Sequence, residues 1–95
     1  MLSSITIQDL MNCHNINLID IRSEQNYNNN HIPGAINIPY EKLIISPSSY
    51  LDINQKYFIY CQKGITSVKV CKILAMQGYK VVNIIGGYEE WILKK

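Results

Sequence analysis

Short apolar runs and helix-patterned stretches take turns along this chain. Residues 16–21, INLIDI, are apolar and rich in isoleucine and read as a buried strand. Residues 56–61, KYFIYC, carry the β-branched and aromatic side chains of another, and KVVNII at 80–85 reads as a third. HIPGAINIP at 31–39 holds a Pro-Gly turn signal and then a brief strand. Thr6 and Asp9, three apart ahead of Leu10 and Met11, predict an N-cap opening a short helix at about residue 7. Residues 23–30 can carry one or two helical turns, which the asparagine run weakens. YEKLII at 40–45 can form a short helix, and 46–55 is the most loop-like stretch. From Thr66 to Gln77 the pattern is helical, with Val70, Ile73, Leu74 and Gln77 on one side and Val68, Cys71 and Ala75 on the adjoining one. Gly78 falls where a left-handed C-terminal cap belongs. GGYEEWILKK turns on two glycines into a last amphipathic helix that ends in lysines.

Strands that alternate with helices in this way predict an α/β domain of three small layers, a mainly parallel central sheet flanked by helices. No repeat and no long linker divides residues 1–95, so one domain is expected. A hydrophobic fraction of 47% and a charged fraction of 17% suit a folded globule. The net charge of +2 comes from scattered lysines and a single arginine, Arg22, with no basic block to favour nucleic acid. The first residues lack a basic and an apolar signal region, and no apolar run approaches the ~20 residues that cross a bilayer, so neither secretion nor a membrane is expected. Cys13, Cys61 and Cys71 lack paired CxxC spacing, which argues against a disulfide scaffold and a zinc ribbon and for a reducing cytoplasm.

Cys61 changes this picture. Ligands of open α/β sheets bind beyond the carboxyl ends of the strands, and Cys61 ends one such strand just before a helix. A helix start offers unpaired N–H groups and partial positive charge, a ready anion site. Thiolates in such settings have pKa values lowered to roughly 3.5–7.5. Gly64 lets the loop curl, Lys63 brings a positive charge, and Thr66 and Ser67 bring hydroxyls that can aim at a negative sulfur. A lone cysteine at a strand end is more often a small buried hydrophobe. An inert thiol needs none of these neighbours, and on spacing alone both readings stay open.

The motifs together resemble the rhodanese sulfurtransferase family over nearly the whole chain. LIDIR, with Asp20 and Arg22, is similar to the family's strand ending in Asp-x-Arg. His31 to Pro39 is similar to its His-Ile-Pro-Gly-Ala signature, YCQKGITS to its active loop, and GGYEEW, with Gly86, Gly87 and Trp91, to its closing Gly-Gly-x-x-x-Trp. The resemblance implies a rhodanese-like fold, Cys61 as the sulfur-carrying catalytic residue, and Gln62, Lys63, Gly64, Ile65, Thr66 and Ser67 as the loop that binds substrate. It implies that Cys61 takes sulfane sulfur from a small anionic donor such as thiosulfate, holds it as a persulfide, and yields it to a thiol, cyanide or protein acceptor. No metal or organic cofactor is required. Many family loops carry arginine where this chain has Thr66, while others end Gly-Val-Thr with lysine at the place of Lys63. Asn26 stands where some thiosulfate-using members have a second basic residue. Asn30 stands where the family has glycine, a position for which asparagine's tolerance of the left-handed conformation is expected to suffice.

Arg22 can meet an anionic substrate, though pairing with Asp20 or Glu24 is the favoured reading. His31 can be a general base, but thiolate chemistry needs little help and a structural place in its turn is favoured. Cys71 falls on an apolar helix face and reads as core, the alternative being a resolving thiol. Cys13 has no clear partner, and Trp91 is expected to pack the last helix on the sheet. Cysteine phosphatases and arsenate reductases clamp their oxyanion with a loop arginine, which this chain lacks. A sulfur relay between proteins and a non-enzymatic binding module remain as alternatives to thiosulfate turnover.

Overall fold

The computed structural model describes residues 2–95. The elements are β1 (Ser4–Ile5), α1 (Ile7–Leu10), β2 (Asn17–Asp20), α2 (Glu24–Asn29), β3 (Ile36–Asn37), α3 (Tyr40–Ile45), a 3-10 turn at Pro47–Ser49, β4 (Lys56–Tyr60), α4 (Thr66–Met76), β5 (Lys80–Ile84) and α5 (Gly87–Lys94). Thr6 Oγ1 accepts the Asp9 N–H and Ser23 Oγ accepts the Asn26 N–H, so two short helices begin on side-chain caps. Gly78 follows α4 with φ of 95°, as its position predicts. The stretch expected to be loop holds the 3-10 turn. β1 was not expected: two residues are too few to show a period, and pairing with β5 is what makes them a strand.

The strands lie in the order β1-β5-β4-β2-β3, and every pairing is parallel. From β2 the chain crosses to β3 on one side, then back over β2 to β4 on the other. Right-handed crossovers in opposite directions put α2 and α3 on opposite faces. The two cores follow. On one face Ile19, Ile21 and Ile59 meet Leu43 of α3 and Val70, Cys71 and Leu74 of α4. On the other Leu18, Phe58, Tyr60, Val82 and Ile84 meet Ile7 and Leu10 of α1, with Tyr27 of α2 and Tyr88 and Trp91 of α5 packed at the margin. Successive strand residues point to opposite faces, so Phe58 and Ile59 belong to different cores.

Two expectations are corrected. The buried stripe of α4 is Ser67, Val70, Cys71 and Leu74, the i, i+3, i+4, i+7 spacing of one helix face. Ile73, 38% exposed, and Ala75 lie outside it, because the stripe that faces the sheet centres between the two sides read from sequence. Asn30 has φ of −169°, plain extended backbone, so no left-handed residue is needed there; the left-handed asparagine is Asn15, with φ of 55°. No helix among the described residues is long and apolar enough to cross a membrane.

The chain leaves the paired strands β2 and β4 in opposite directions, which makes their carboxyl ends the topological switch point, and a buried ion pair closes the end of β2. Asp20 is fully buried and Arg22 is 7% exposed. Arg22 Nε lies 3.0 Å from Asp20 Oδ2 and its Nη2 lies 2.8 Å from the same oxygen. Burial works against the guanidinium charge, and the bonds and charge of Asp20 more than offset it, leaving Arg22 above the usual arginine value. Asn37 Nδ2 donates to the carbonyls of Asp20 and Arg22 at 2.9 and 3.0 Å, binding β3 to the same end. Replacing Asp20 by Ala strands the buried guanidinium and is expected to lower stability by about 3–5 kcal/mol, read by urea denaturation. A loss of about 1 kcal/mol or less, the scale of an exposed pair, would show that the pair carries no such weight.

Candidate active site

Cys61 leaves the carboxyl end of β4 on the same face as Ile59, beside the end of β2 at the switch point. The chain then curls through residues 62–65 into α4. The residue before α4, Ile65, has no side chain able to cap it, so the first N–H groups of the helix need another acceptor. The sulfur of Cys61 supplies one. Sγ accepts the N–H of Gly64 at 3.1 Å and the N–H of Ser67 at 3.2 Å. The thiol closes its own loop, as an oxygen closes an ordinary helix start.

The loop's carbonyls face the other way. Cys61 O accepts the N–H of Tyr88 at 2.9 Å and Gln62 O accepts the N–H of Glu89 at 3.0 Å. Those donors belong to the first turn of α5 and have no partner in their own helix. This contact requires backbone to meet backbone. Gly64 has φ of 86°, and a Cβ there would stand 2.9 Å from Gly86 N. Gly87 has φ of 61°, and a Cβ there would collide with the Cys61 carbonyl oxygen.

The loop side chains divide into two groups. Gln62 is held from both ends: its Oε1 accepts from Arg22 Nη1 at 3.1 Å and its Nε2 donates to Glu89 Oε2 at 3.2 Å. The Arg22 guanidinium lies 4.0 Å from the centroid of the Tyr88 ring. Arg22 therefore braces the loop from behind. Lys63 and Ile65 are exposed, Ile65 to 62%. Ser67 departs from expectation. Its buried hydroxyl donates to Asn83 Oδ1 at 2.6 Å and lies 3.3 Å from Sγ, so the help it gives the sulfur comes from its backbone N–H. The Thr66 hydroxyl makes no hydrogen bond to the sulfur among the described residues; Thr66 instead lines the hollows on either side of Cys61.

Asn83 is the participant that sequence reading passed over. It is 3% exposed on β5. The signal was present: one amide among the apolar residues that follow Lys80 in β5, which when buried must find a polar partner. The remaining candidates lie elsewhere. His31 stacks on Tyr27 with centroids 3.9 Å apart, and its Nδ1 is 2.9 Å from the Tyr27 carbonyl, a structural place in the turn. Cys71 is wholly buried in α4, and burial, with Cys61 nearby, pushes its thiol up to about 12. It remains a thiol at neutral pH, which suits a core residue and not a resolving nucleophile. Cys13 Sγ lies 3.5 Å from the Asp9 carbonyl.

Cys61 opens onto two hollows. One, of about 420 Å³, runs past Glu24, Asn26, Tyr40, Glu41 and Thr66. The other, of about 260 Å³, is formed by the loop itself with Lys63 and Ile65.

Comparison with known proteins bears on the family and the fold. The family model described as rhodanese-like domain matches residues 5–94. The chain is 32% identical over 91 residues to the thiosulfate sulfurtransferase GlpE of Coxiella burnetii, a match that covers 95% of this chain and 84% of that protein. The crystal structure of a rhodanese-like domain protein from Staphylococcus aureus aligns with a TM-score of 0.86 at 30% identity, covering 95% of this chain and 91% of that one. The human single-domain sulfurtransferase TSTD1 aligns with a TM-score of 0.85 over 100% of this chain and 99% of its own, and at 22% identity it shows likeness of fold.

The contact between loop and glycine pair yields a test. Gly34 also has a left-handed φ, of 89°, but open space where a Cβ would stand. Gly34→Ala should cost only the backbone strain, about 1–2 kcal/mol. Gly87→Ala adds a collision with the loop and should cost distinctly more in urea denaturation. Equal losses would show that α5 and the loop are not locked together.

Proposed function

The chain belongs to the rhodanese-like domain family, and from that premise we propose that it is a sulfurtransferase acting through a persulfide on Cys61. The observation that carries the reading is the placement of Sγ against the N–H groups of Gly64 and Ser67 at the opening of α4. These donors favour negative charge on the sulfur. With thiosulfate as donor, the Cys61 thiolate attacks the outer sulfur. The S–S bond of thiosulfate breaks, and sulfite leaves with the electron pair. The outer sulfur of the persulfide is itself anionic, and the loop N–H groups that Sγ leaves unused would take up its charge, as an oxyanion hole takes up its oxygen. An acceptor thiol or cyanide then removes that sulfur and restores the thiolate, a double displacement through a covalent intermediate. The proposal needs no metal or organic cofactor. The three cysteines are free, which suits a reducing cytoplasm.

A second reading has its own support. Ile65 is 62% exposed beside the cysteine and Tyr40, across the groove, is 42% exposed. Apolar side chains around a reactive sulfur favour a protein as donor or acceptor, which would make this domain a sulfur relay.

Incubation with thiosulfate should add one sulfur atom to the intact protein, seen by mass spectrometry, and Cys61→Ser should add none. A wild-type protein that gains no sulfur from thiosulfate or from a persulfide donor would overturn the proposal. Lys63 is the free cation of the loop, and as an exposed charge its effect is modest. Lys63→Ala should raise the thiosulfate KM by roughly 2- to 5-fold with little change in kcat. The effect should shrink as salt is added. An unchanged KM would remove Lys63 from the donor site.

A further inference from the structure

The two hollows that meet at Cys61 differ in charge. The smaller one contains Lys63 and no acidic residue. The larger one contains Glu24 and Glu41, and its one cation is Arg22. Arg22 offers that groove little. It is 7% exposed, and its guanidinium is bonded to Asp20, to the Asn30 carbonyl at 2.6 Å and to Gln62 at 3.1 Å. Its charge is cancelled by Asp20, so the two glutamates set the sign of the groove. Both are exposed, and neither is in an ion pair among the described residues. Glu24 opens α2 and Glu41 lies in the first turn of α3, on the two helices that flank the mouth of the groove. Asn26, in the same wall, adds no positive charge.

A small dianion entering by this groove would meet two unpaired carboxylates. The same pair would attract a cation. We infer that the Glu24–Glu41 groove is the acceptor side of the site, and that it selects a thiol carried beside positive charge, such as a cysteine flanked by lysine or arginine on a partner protein. The anionic donor then approaches over Lys63, and donor and acceptor reach one sulfur from flanks of opposite sign. The inference rests on the sulfur-transfer reading of Cys61 and adds the class of acceptor to it. In the step itself the acceptor thiolate attacks the outer sulfur of the Cys61 persulfide. A new S–S bond forms on the acceptor, the bond between the outer sulfur and Sγ breaks, and its electron pair returns to Sγ as the Cys61 thiolate. The acceptor leaves as a persulfide, and no oxidant or reductant is consumed. The glutamates take no part in bond-making. They raise the local concentration and the encounter rate of a cationic thiol, an effect that salt screens.

The test begins with protein already loaded with sulfur and freed of donor. Single-turnover transfer is then measured to cysteamine, mercaptoethanol and mercaptoacetate, which carry positive, zero and negative charge, with each rate normalised to thiolate concentration. At low ionic strength the rates should fall in that order, and cysteamine should exceed mercaptoacetate by roughly five- to tenfold. In the double variant Glu24→Gln with Glu41→Gln the ratio should collapse toward one, and high salt should do the same to the wild type. Both positions are exposed and the amides keep their shape, so the variant retains the fold. A wild-type ratio near one, or a ratio unchanged in the double variant, overturns the acceptor inference while leaving sulfur transfer intact. Failure of the protein to load overturns both, and it is seen before any acceptor is added.

Discussion

The loop after β4 depends on two hydrogen bonds from another helix. The N–H groups of Tyr88 and Glu89 hold the carbonyls of Cys61 and Gln62 at 2.9 and 3.0 Å. With those carbonyls turned toward α5, the N–H groups of Gly64 and Ser67 point inward to Sγ. Two helix starts thereby satisfy one another through one loop: α5 donates to its carbonyls, and its sulfur accepts from the opening of α4. Neither helix has a side-chain cap of its own. The arrangement demands glycine where the backbones touch, which ties Gly64 to the Gly86–Gly87 pair more than twenty residues away in sequence.

A second chain of contacts holds the same loop to the sheet. It runs from buried Asp20 to Arg22, from Arg22 to Gln62, and from Gln62 to Glu89 of α5. Tyr60 joins it from below: wholly buried, its hydroxyl accepts the Ile32 N–H at 3.1 Å and so anchors the turn that leads to β3. Burial, with Asp20 nearby, pushes its phenol above the usual tyrosine value, so it stays neutral. The switch point between β2 and β4 thus becomes a rigid platform. Outside it, Lys63 and Ile65 face solvent.

Much of this was legible in the residues. Isoleucine-rich runs, the Thr6 cap and the glycine after α4 each act locally, and each appears where the pattern predicts it. Features set by tertiary packing were less legible. The two-residue β1 has no period to read. The apolar residues of α4 admit two stripes, and which one is buried depends on how the helix lies against the sheet. Ser67 was read as a donor to the sulfur because it stands beside the loop; it lies instead in the buried stripe, where Asn83 claims its hydroxyl. The glycine pair reads as a turn, and only contact with the distant loop reveals it as a backbone-to-backbone seam.

The fate of the single arginine bears on what the loop can hold. A tetrahedral oxyanion such as phosphate is normally clamped by a guanidinium in two-point contact. Here the guanidinium of Arg22 is bound to Asp20, Asn30 and Gln62, on the scaffold side of the loop. The anion side is left with backbone N–H groups and one exposed lysine. The two backbone donors on Sγ suit a charge centred on sulfur itself, which is large and diffuse, better than a charge spread over several outlying oxygens. Such a loop would suit the covalently held anion proposed for Cys61, and it leaves the rim free to differ in charge from one side to the other.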